Sequence, residues 1–367
     1  MPGAGKLVLN IIWDGRGILG VGVKSTRPKA YRILEGRIPD NVVQLVPLLF
    51  SVCGKAQQAA AIAAVSAAQG YELPQNKNLE RRVTCEVVQE HLWRLLLDWP
   101  ERLGLEQHRQ QFVLWHHALN EIAAGQGNAQ VLADELCRIL LGMKGNDWNR
   151  VDSRSRLGEW QKAGQGLLTP VFSALDKIES GLDFGGEMTD CSLLPIWTAA
   201  DASQIYAGQL GQSFAAKPQF EGKPMETGAL AYCQPAALLQ DVLQQRPRRL
   251  SARLIARLAD LLDSAEALAQ ERISGRVSCV SAADAGGVAL VRTARGMLMH
   301  SVRIETERIA EYLIVAPTEW NFHPQGALVT GLTGLKENDA GRLVETVRHF
   351  VLSLDPCVEY EIEVEHA

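Results

Sequence analysis

No stretch of this chain stays apolar long enough to cross a bilayer. The most apolar segment, residues 45–68, carries Lys55, Gln57 and Gln58, and so falls short of the roughly 20 consecutive apolar residues a spanning helix needs. A basic excess is missing too: 37 Lys and Arg stand against 42 Asp and Glu, for a net charge of −5, which speaks against a nucleic-acid partner. No charged leader with an apolar run and cleavage site opens the chain, and its seven cysteines are odd in number and scattered. That is not the spacing of a disulfide framework, and the expectation is a cytoplasmic protein with reduced thiols. Neither H-E-x-x-H nor an intact C-x-x-C pair occurs, which removes the commonest zinc and dithiol arrangements. What is present is 47% hydrophobic and 22% charged over 367 residues, an ordinary globular composition with ample core.

The beginning of the chain offers a dinucleotide-like pattern that lacks its context. Gly15, Gly17 and Gly20 stand in G-x-G-x-x-G spacing after an apolar strand, with Glu35 about where a ribose-binding acid would fall. The fingerprint needs a helix next. Here the residues after Gly20 alternate and then meet Pro28, so the glycines are read as hairpin turns and residues 29–38 as another strand. The Gly3–Lys6 stretch also lacks P-loop spacing and a preceding strand. A nucleotide-binding enzyme would reveal itself by saturable nicotinamide or ATP binding.

Helical patterns follow. Asp40 or Asn41 can cap a helix running through Phe50, and residues 55–69 are rich in alanine, which permits close packing in a core. Cys53 and Gly54 fall at the join, where a thiol feels the positive end of the next helix and leans towards thiolate; a buried inert cysteine is the alternative. The centre predicts amphipathic helices over residues 79–97, 106–124, 129–140 and 247–271, punctuated by Pro100 and residues 125–128. His116, His117, Trp93, Trp99 and Trp115 recur at helical spacing and are read as core and rim. Arg246, Arg248, Arg249, Arg253 and Arg257 gather along one helix start, read as a solvated basic face with partner docking as the alternative. Cys191 is read as structural.

The last third changes period. Residues 277–280, 287–292, 298–304 and 308–315 predict a meander of short strands, with Arg295 near a turn. A helix over residues 338–352 should stop at Pro356 and leave Cys357 just beyond it. After that Val358, Tyr360, Ile362 and Val364 alternate with Glu359, Glu361, Glu363 and Glu365. That is a strand whose acidic face must stay wet or meet a basic partner.

Five segments carry a resemblance. "ILEGRIP" and "SVCGKAQQA" near the start, "TARGMLMH" at 293–300, "APTEWNFHPQG" at 316–326 and the terminal "DPCVEYEIEVEHA" resemble, in order, segments of the large subunit of nickel-iron hydrogenases. The patterns there are R-x-C-G-x-C-x-x-x-H, A-R-G-x-L-x-H, P-[ST]-x-W-N-x-x-P and D-P-C-x-x-C-x-x-H. Residues 75–270 match only loosely. Cys53 and Cys357 are kept, whereas Ala56 and Tyr360 replace the second cysteine of each pair, and Ala60 and Glu363 fall on the histidine positions. A four-thiolate cage has become a two-thiolate one, and losing two anionic ligands argues against a complete nickel-iron centre. The cysteines that remain match those that bind only nickel in the family.

The resemblance implies that Arg295, Pro317 and Thr318 surround the cyanide and carbonyl ligands of an iron, with Leu298 as a wall for the carbonyl. It also places Asp14-Gly15 near a proton-relaying glutamate-glycine pair. Independently, a guanidinium suits an anionic cyanide whose nitrogen accepts hydrogen bonds; the competing reading of Arg295 is a structural ion pair. The family's large subunit loses a C-terminal extension after nickel insertion; this chain reaches His366-Ala367 at that point, and no such cleavage is expected.

The chain is therefore similar to HupK/HoxV-type maturation factors, relatives of the large subunit that do not turn over. The implied function is a scaffold that binds the Fe(CN)2(CO) fragment through Cys53 and Cys357 and passes it to the large subunit precursor. Hydrogenase maturation chaperones would deliver the fragment, with no nickel, nucleic acid or membrane insertion involved. The alternatives are a metal-free interaction protein that mimics the large subunit, and a working hydrogenase with an altered site. The expected fold is α+β and predominantly helical: a single domain with strands in residues 1–40, a helix-rich core over 41–272, and a meander, helix and cysteine-bearing tail over 273–367. Both chain ends must converge for Cys53 and Cys357 to share a site.

Overall fold

The computed structural model describes residues 5–50, 52–71, 76–184, 191–207, 211–245, 249–284 and 286–367. They divide into two compact units, one of Met1–Asn76, Asp183–Ala231 and Gly275–Ala367, the other of Lys77–Leu182 and Tyr232–Ser274. The fold is mixed α and β with helix predominating.

In the first unit the two ends of the chain share a sheet. The strand Leu7–Trp13 lies between its hairpin partner Ile18–Ser25 and the last strand, Tyr360–His366. The last strand runs parallel to the first, in register from Leu7 with Tyr360 to Trp13 with His366. Side chains alternate across a sheet, so Leu7, Leu9 and Ile11 enter the core beside Ile362, while Glu361, Glu363 and Glu365 fall on the outer face with Asn10 and Ile12. The expected acidic face is indeed wet: all three glutamates are exposed, Lys6 pairs with Glu361, and Asn10 donates to Glu365 at 3.0 Å.

The glycine-rich beginning is a hairpin, as its alternation predicts. The Asp14 carboxylate accepts from the backbone N–H of Arg16 and Gly17, each at 2.8 Å, and these bonds hold its pKa below the ordinary range. An exposed, ionised turn residue is a poor match for the relay acid that the resemblance implies there. Residues 29–38 are not a strand. They form a 3-10 turn over Ala30–Leu34, after which Gly36 and Arg37 exchange only two backbone bonds with Ile309. The physical reason is Pro39, which has no N–H for a ladder and instead occupies the first position of the helix Pro39–Leu49. That helix starts ahead of Asp40, which lies in its first turn, and no side chain caps it.

The four-stranded meander of Val277–Ala282, Gly286–Thr293, Gly296–Glu305 and Arg308–Val315 follows the predicted order. It receives the alanine-rich helix Gly54–Ala68 on one face. Seven alanines of that helix are buried, and with no side chain beyond Cβ they let helix and sheet backbones approach closely. Gly287 marks the closest point, where a Cβ would sit 2.1 Å from the Ala64 carbonyl oxygen. The helix Ala340–Leu354, capped by the Asp339 carboxylate on Arg342 N–H, delivers the chain to Cys357.

In the second unit, helix Lys77–Trp93 continues through a π turn, Arg94–Asp98, into Trp99–Arg102. Pro100 therefore does not end it. Proline cannot bond the carbonyl four residues back, but that carbonyl, Leu96, accepts instead from His108 N–H at 3.0 Å. A second π turn, Cys137–Leu141, follows the helix Ala129–Leu136. The long helix is Leu250–Ala269; Pro247, Arg246 and Arg248 lie outside the described residues. Its first turn is capped by a distant carboxylate, with Leu250 and Ser251 N–H donating to Glu179 at 2.9 and 3.2 Å. Arg253 and Arg257 are buried, which corrects the solvated face expected of them. Arg257 donates to His91 Nδ1 at 3.2 Å, and the other ring nitrogen of His91 meets Asp260 at 2.8 Å. Arginine can only donate, so Nδ1 is the acceptor and Nε2 carries the proton towards Asp260. The basic residues there build a polar core. His117 is exposed while Trp99 and Trp115 are buried, in line with core and rim roles.

Candidate functional site

Each of the two end-of-chain cysteines sits where a helix begins or ends. Cys53 is the N-cap residue of Gly54–Ala68. Cys357 follows Asp355, the left-handed C-cap of Ala340–Leu354. Both thiols are half-buried and outside any disulfide.

Thr318 holds Cys357. It lies in the short helix Pro317–Asn321, whose Pro317, Thr318, Trp320 and Asn321 are buried. Its hydroxyl accepts the Cys357 backbone N–H at 3.3 Å and lies 3.2 Å from the Cys357 sulfur. Trp320 anchors the turn, edge-on to Trp197 and Phe214. Asn321 completes it: Oδ1 accepts from Thr227 N–H at 2.9 Å, and Nδ2 reaches the carbonyls of Arg295 and Leu354 at 3.5 and 3.4 Å.

Cys53 is held by a hydrogen-bonded chain in a buried setting. Gln57, one turn into the helix, places Nε2 3.6 Å from the Cys53 sulfur. Its Oε1 is 2.9 Å from His300 Nε2, and His300 Nδ1 is 2.7 Å from the Tyr312 hydroxyl. Complete burial pushes the His300 pKa down to about 3 and the Tyr312 pKa up, so both are neutral. An amide oxygen only accepts. The protons are therefore directed one way, from Tyr312 O–H to Nδ1, from Nε2–H to Gln57, and from the Gln57 amide to sulfur. Leu298, 1% exposed, is two residues from His300 on the same strand and so shares its face.

Arg295 and Asp355 tie the 293–300 segment to the one that carries Cys357. Arg295 Nε donates to Asp355 Oδ1 at 3.2 Å, with side chains 5% and 1% exposed. The ion pair that the simpler reading of Arg295 anticipated is therefore real, and it links Arg295 to the residue two before Cys357. Gly296, next to Arg295, has φ +134°, and a Cβ there would lie 2.4 Å from the Thr227 side chain; only glycine fits.

Arg27 is one of the residues that sequence reasoning missed. Its Nη1 donates to Glu319 Oε1 at 2.8 Å, and the pair is mostly buried. Burial alone would lower the pKa of this guanidinium, but its electrostatic interactions with Cys357, Glu319 and Cys53 outweigh that and raise it. Burial in turn raises the Glu319 carboxyl. One cation thus feels both cysteines. No sequence pattern marks Arg27, whereas Glu319 and Asn321 lie inside a segment already singled out. Cys191 is buried, with its thiol 3.3 Å from the Pro224 carbonyl. Among the described residues no group of three or more His, Cys, Asp and Glu gathers to hold an ion.

The hydrogenase expression/formation protein HupK of Rhizobium leguminosarum bv. viciae is 30% identical over 387 residues, spanning 100% of this chain and 98% of that protein. The chain belongs to the HupK/HoxV family of hydrogenase expression/formation proteins. HoxV of Cupriavidus necator is 29% identical across 93% of this chain and 92% of its own. The model of the nickel-dependent hydrogenase family matches residues 244–360, which include Arg295, Pro317, Thr318 and Cys357. The solved [NiFeSe]-hydrogenase of Dm. baculatum superposes with a TM-score of 0.59 at 15% identity, covering 95% of this chain and 94% of that one. This member of the HupK/HoxV family thus shares the fold of a hydrogenase chain, and its relatives are named for hydrogenase expression and formation.

Proposed function

We propose that this chain is an assembly scaffold in nickel-iron hydrogenase maturation, which binds the Fe(CN)2(CO) fragment and passes it to the large subunit precursor. One arrangement carries the reading: Cys357 is held by Thr318, whose neighbour Glu319 binds the Arg27 guanidinium, while the buried Arg295 pairs with Asp355 two residues before the same cysteine. Two thiolates are too few to retain a bare ion but suit an iron that already brings three ligands. Each thiol loses its proton as its bond to iron forms and regains one when the fragment leaves. Arg295 faces a cyanide, Leu298 and Pro317 wall the carbonyl side, and Thr318 fixes Cys357. Maturation chaperones deliver the fragment in the cytoplasm, and no nickel is required.

The exposed Glu361, Glu363 and Glu365 favour a second reading, a metal-free protein that mimics the large subunit and docks those chaperones. An infrared spectrum of protein purified anaerobically from hydrogenase-producing cells separates the two. Metal-bound cyanide and carbonyl stretches are expected in the native protein and absent from a Cys53→Ala, Cys357→Ala double variant. A blank spectrum from folded, iron-free native protein, with maturation intact in the double variant, would establish the mimic instead.

A further inference from the structure

Resting on the scaffold reading, we infer that Arg27 is the second cyanide-receiving guanidinium of the site, while Arg295 takes the other cyanide and Thr318 serves to hold Cys357. Thr318 and Arg27 differ in hydrogen-bond capacity. A threonine hydroxyl has one proton to give, and that of Thr318 already accepts the Cys357 N–H and lies 3.2 Å from the Cys357 sulfur. It is committed to the cysteine. A guanidinium has five donors, and among the described residues that of Arg27 makes one side-chain bond, from Nη1 to Glu319 at 2.8 Å. Its remaining N–H groups are available to an acceptor.

Position points the same way. Glu319 directly follows Thr318 in the buried turn Pro317–Asn321, so the ion pair fixes Arg27 beside the segment that holds Cys357. The Thr318 hydroxyl is 3.2 Å from the Cys357 sulfur, and Arg27 is bonded to the very next residue, so a fragment held at Cys357 is within the neighbourhood of Arg27; the influence of both cysteines on the Arg27 charge agrees with this.

Charge balance also calls for a second cation. Iron(II) with two cyanides is neutral, and two thiolates leave the bound assembly doubly negative. Asp355 already offsets much of the Arg295 charge. A second cation at the cyanide nitrogens lowers the cost of placing a dianion in a half-buried site.

The test compares infrared spectra of native protein, Arg27→Lys and Arg27→Gln/Glu319→Gln. The last variant removes a balanced pair and leaves no unpaired buried charge. Native protein should show two cyanide stretches. In the double variant one of them should shift to lower frequency, as the hydrogen bond at its nitrogen is lost, or the fragment should be lost while the thermal unfolding transition is unchanged. Arg27→Lys, which keeps the charge, should retain the fragment. Native bands together with an unaltered double-variant spectrum would overturn the role of Arg27 and leave the scaffold intact. A native protein without bands would overturn the scaffold itself.

Discussion

The Arg295–Asp355 pair shows how one contact can serve both fold and site. Both partners are nearly sealed from solvent, so removing one charge strands the other. Asp355→Asn is expected to cost about 3–5 kcal/mol, the range for breaking a buried ion pair, read from denaturant unfolding. A loss below about 1 kcal/mol would mean that the pair is solvated like a surface bridge. His300 makes a pH prediction. Its folded pKa is pushed down to about 3 by burial, whereas an unfolded imidazole titrates near about 6.5. The unfolded chain therefore takes the proton first. Stability present above about pH 6.5 is lost as the pH falls towards the folded pKa, with a limiting slope of about 1.4 kcal/mol per unit. His300→Gln should flatten that part of the stability profile. An unchanged slope in the variant would assign the pH dependence to other groups.

At the scale of elements, the alanine-rich helix and the meander fit because neither has side chains where their backbones meet. Gly287→Ala would set a Cβ 2.1 Å from the Ala64 carbonyl oxygen and 2.5 Å from the Ala68 nitrogen. Backbone cannot rotate aside as a flexible side chain does. The expected penalty is at or beyond the upper end of the roughly 1–3 kcal/mol typical of overpacking, visible as a lowered melting temperature. Because the same helix carries Cys53 at its N-cap and Gln57 one turn later, Gly287→Ala should, on the proposed scaffold function, also weaken fragment retention without replacing either cysteine. Wild-type melting would show that the helix can move away from the sheet at little cost. The Pro100 segment teaches a related point: a proline in a helical pattern ends the helix only when nothing else can take the orphaned carbonyl, and here His108 N–H takes it.

For the whole molecule, the decisive feature is the parallel ladder between first and last strands. Parallel neighbours require a long crossover, and here almost the entire chain is that connection. Removing residues 358–367 should expose the edge of Leu7–Trp13 and release Cys357 from its place after Ala340–Leu354. Limited proteolysis is expected to cut the truncated protein within residues 5–50 and near Cys357, at sites protected in the full chain. Unchanged protection would mean that the helix alone positions Cys357.

Much of this was legible in the residues. Period-2 alternation marked the meander and the acidic strand, Pro356 marked the end of the last helix, and the departures at Ala56 and Tyr360 singled out Cys53 and Cys357 before any geometry was known. These are local or near-local signals, and each depends on a side chain's own shape and charge. The Arg27–Glu319 pair, the Tyr312–His300–Gln57 chain and the burial of Arg253 and Arg257 were not legible, because each joins residues far apart in sequence or depends on which face of an element meets the core. The sequence by itself determined which thiols, guanidiniums and carboxylates this protein has to offer the proposed iron fragment. Only the tertiary structure decided which of them meet, because burial and long-range pairing are properties of the packed chain and of no segment within it.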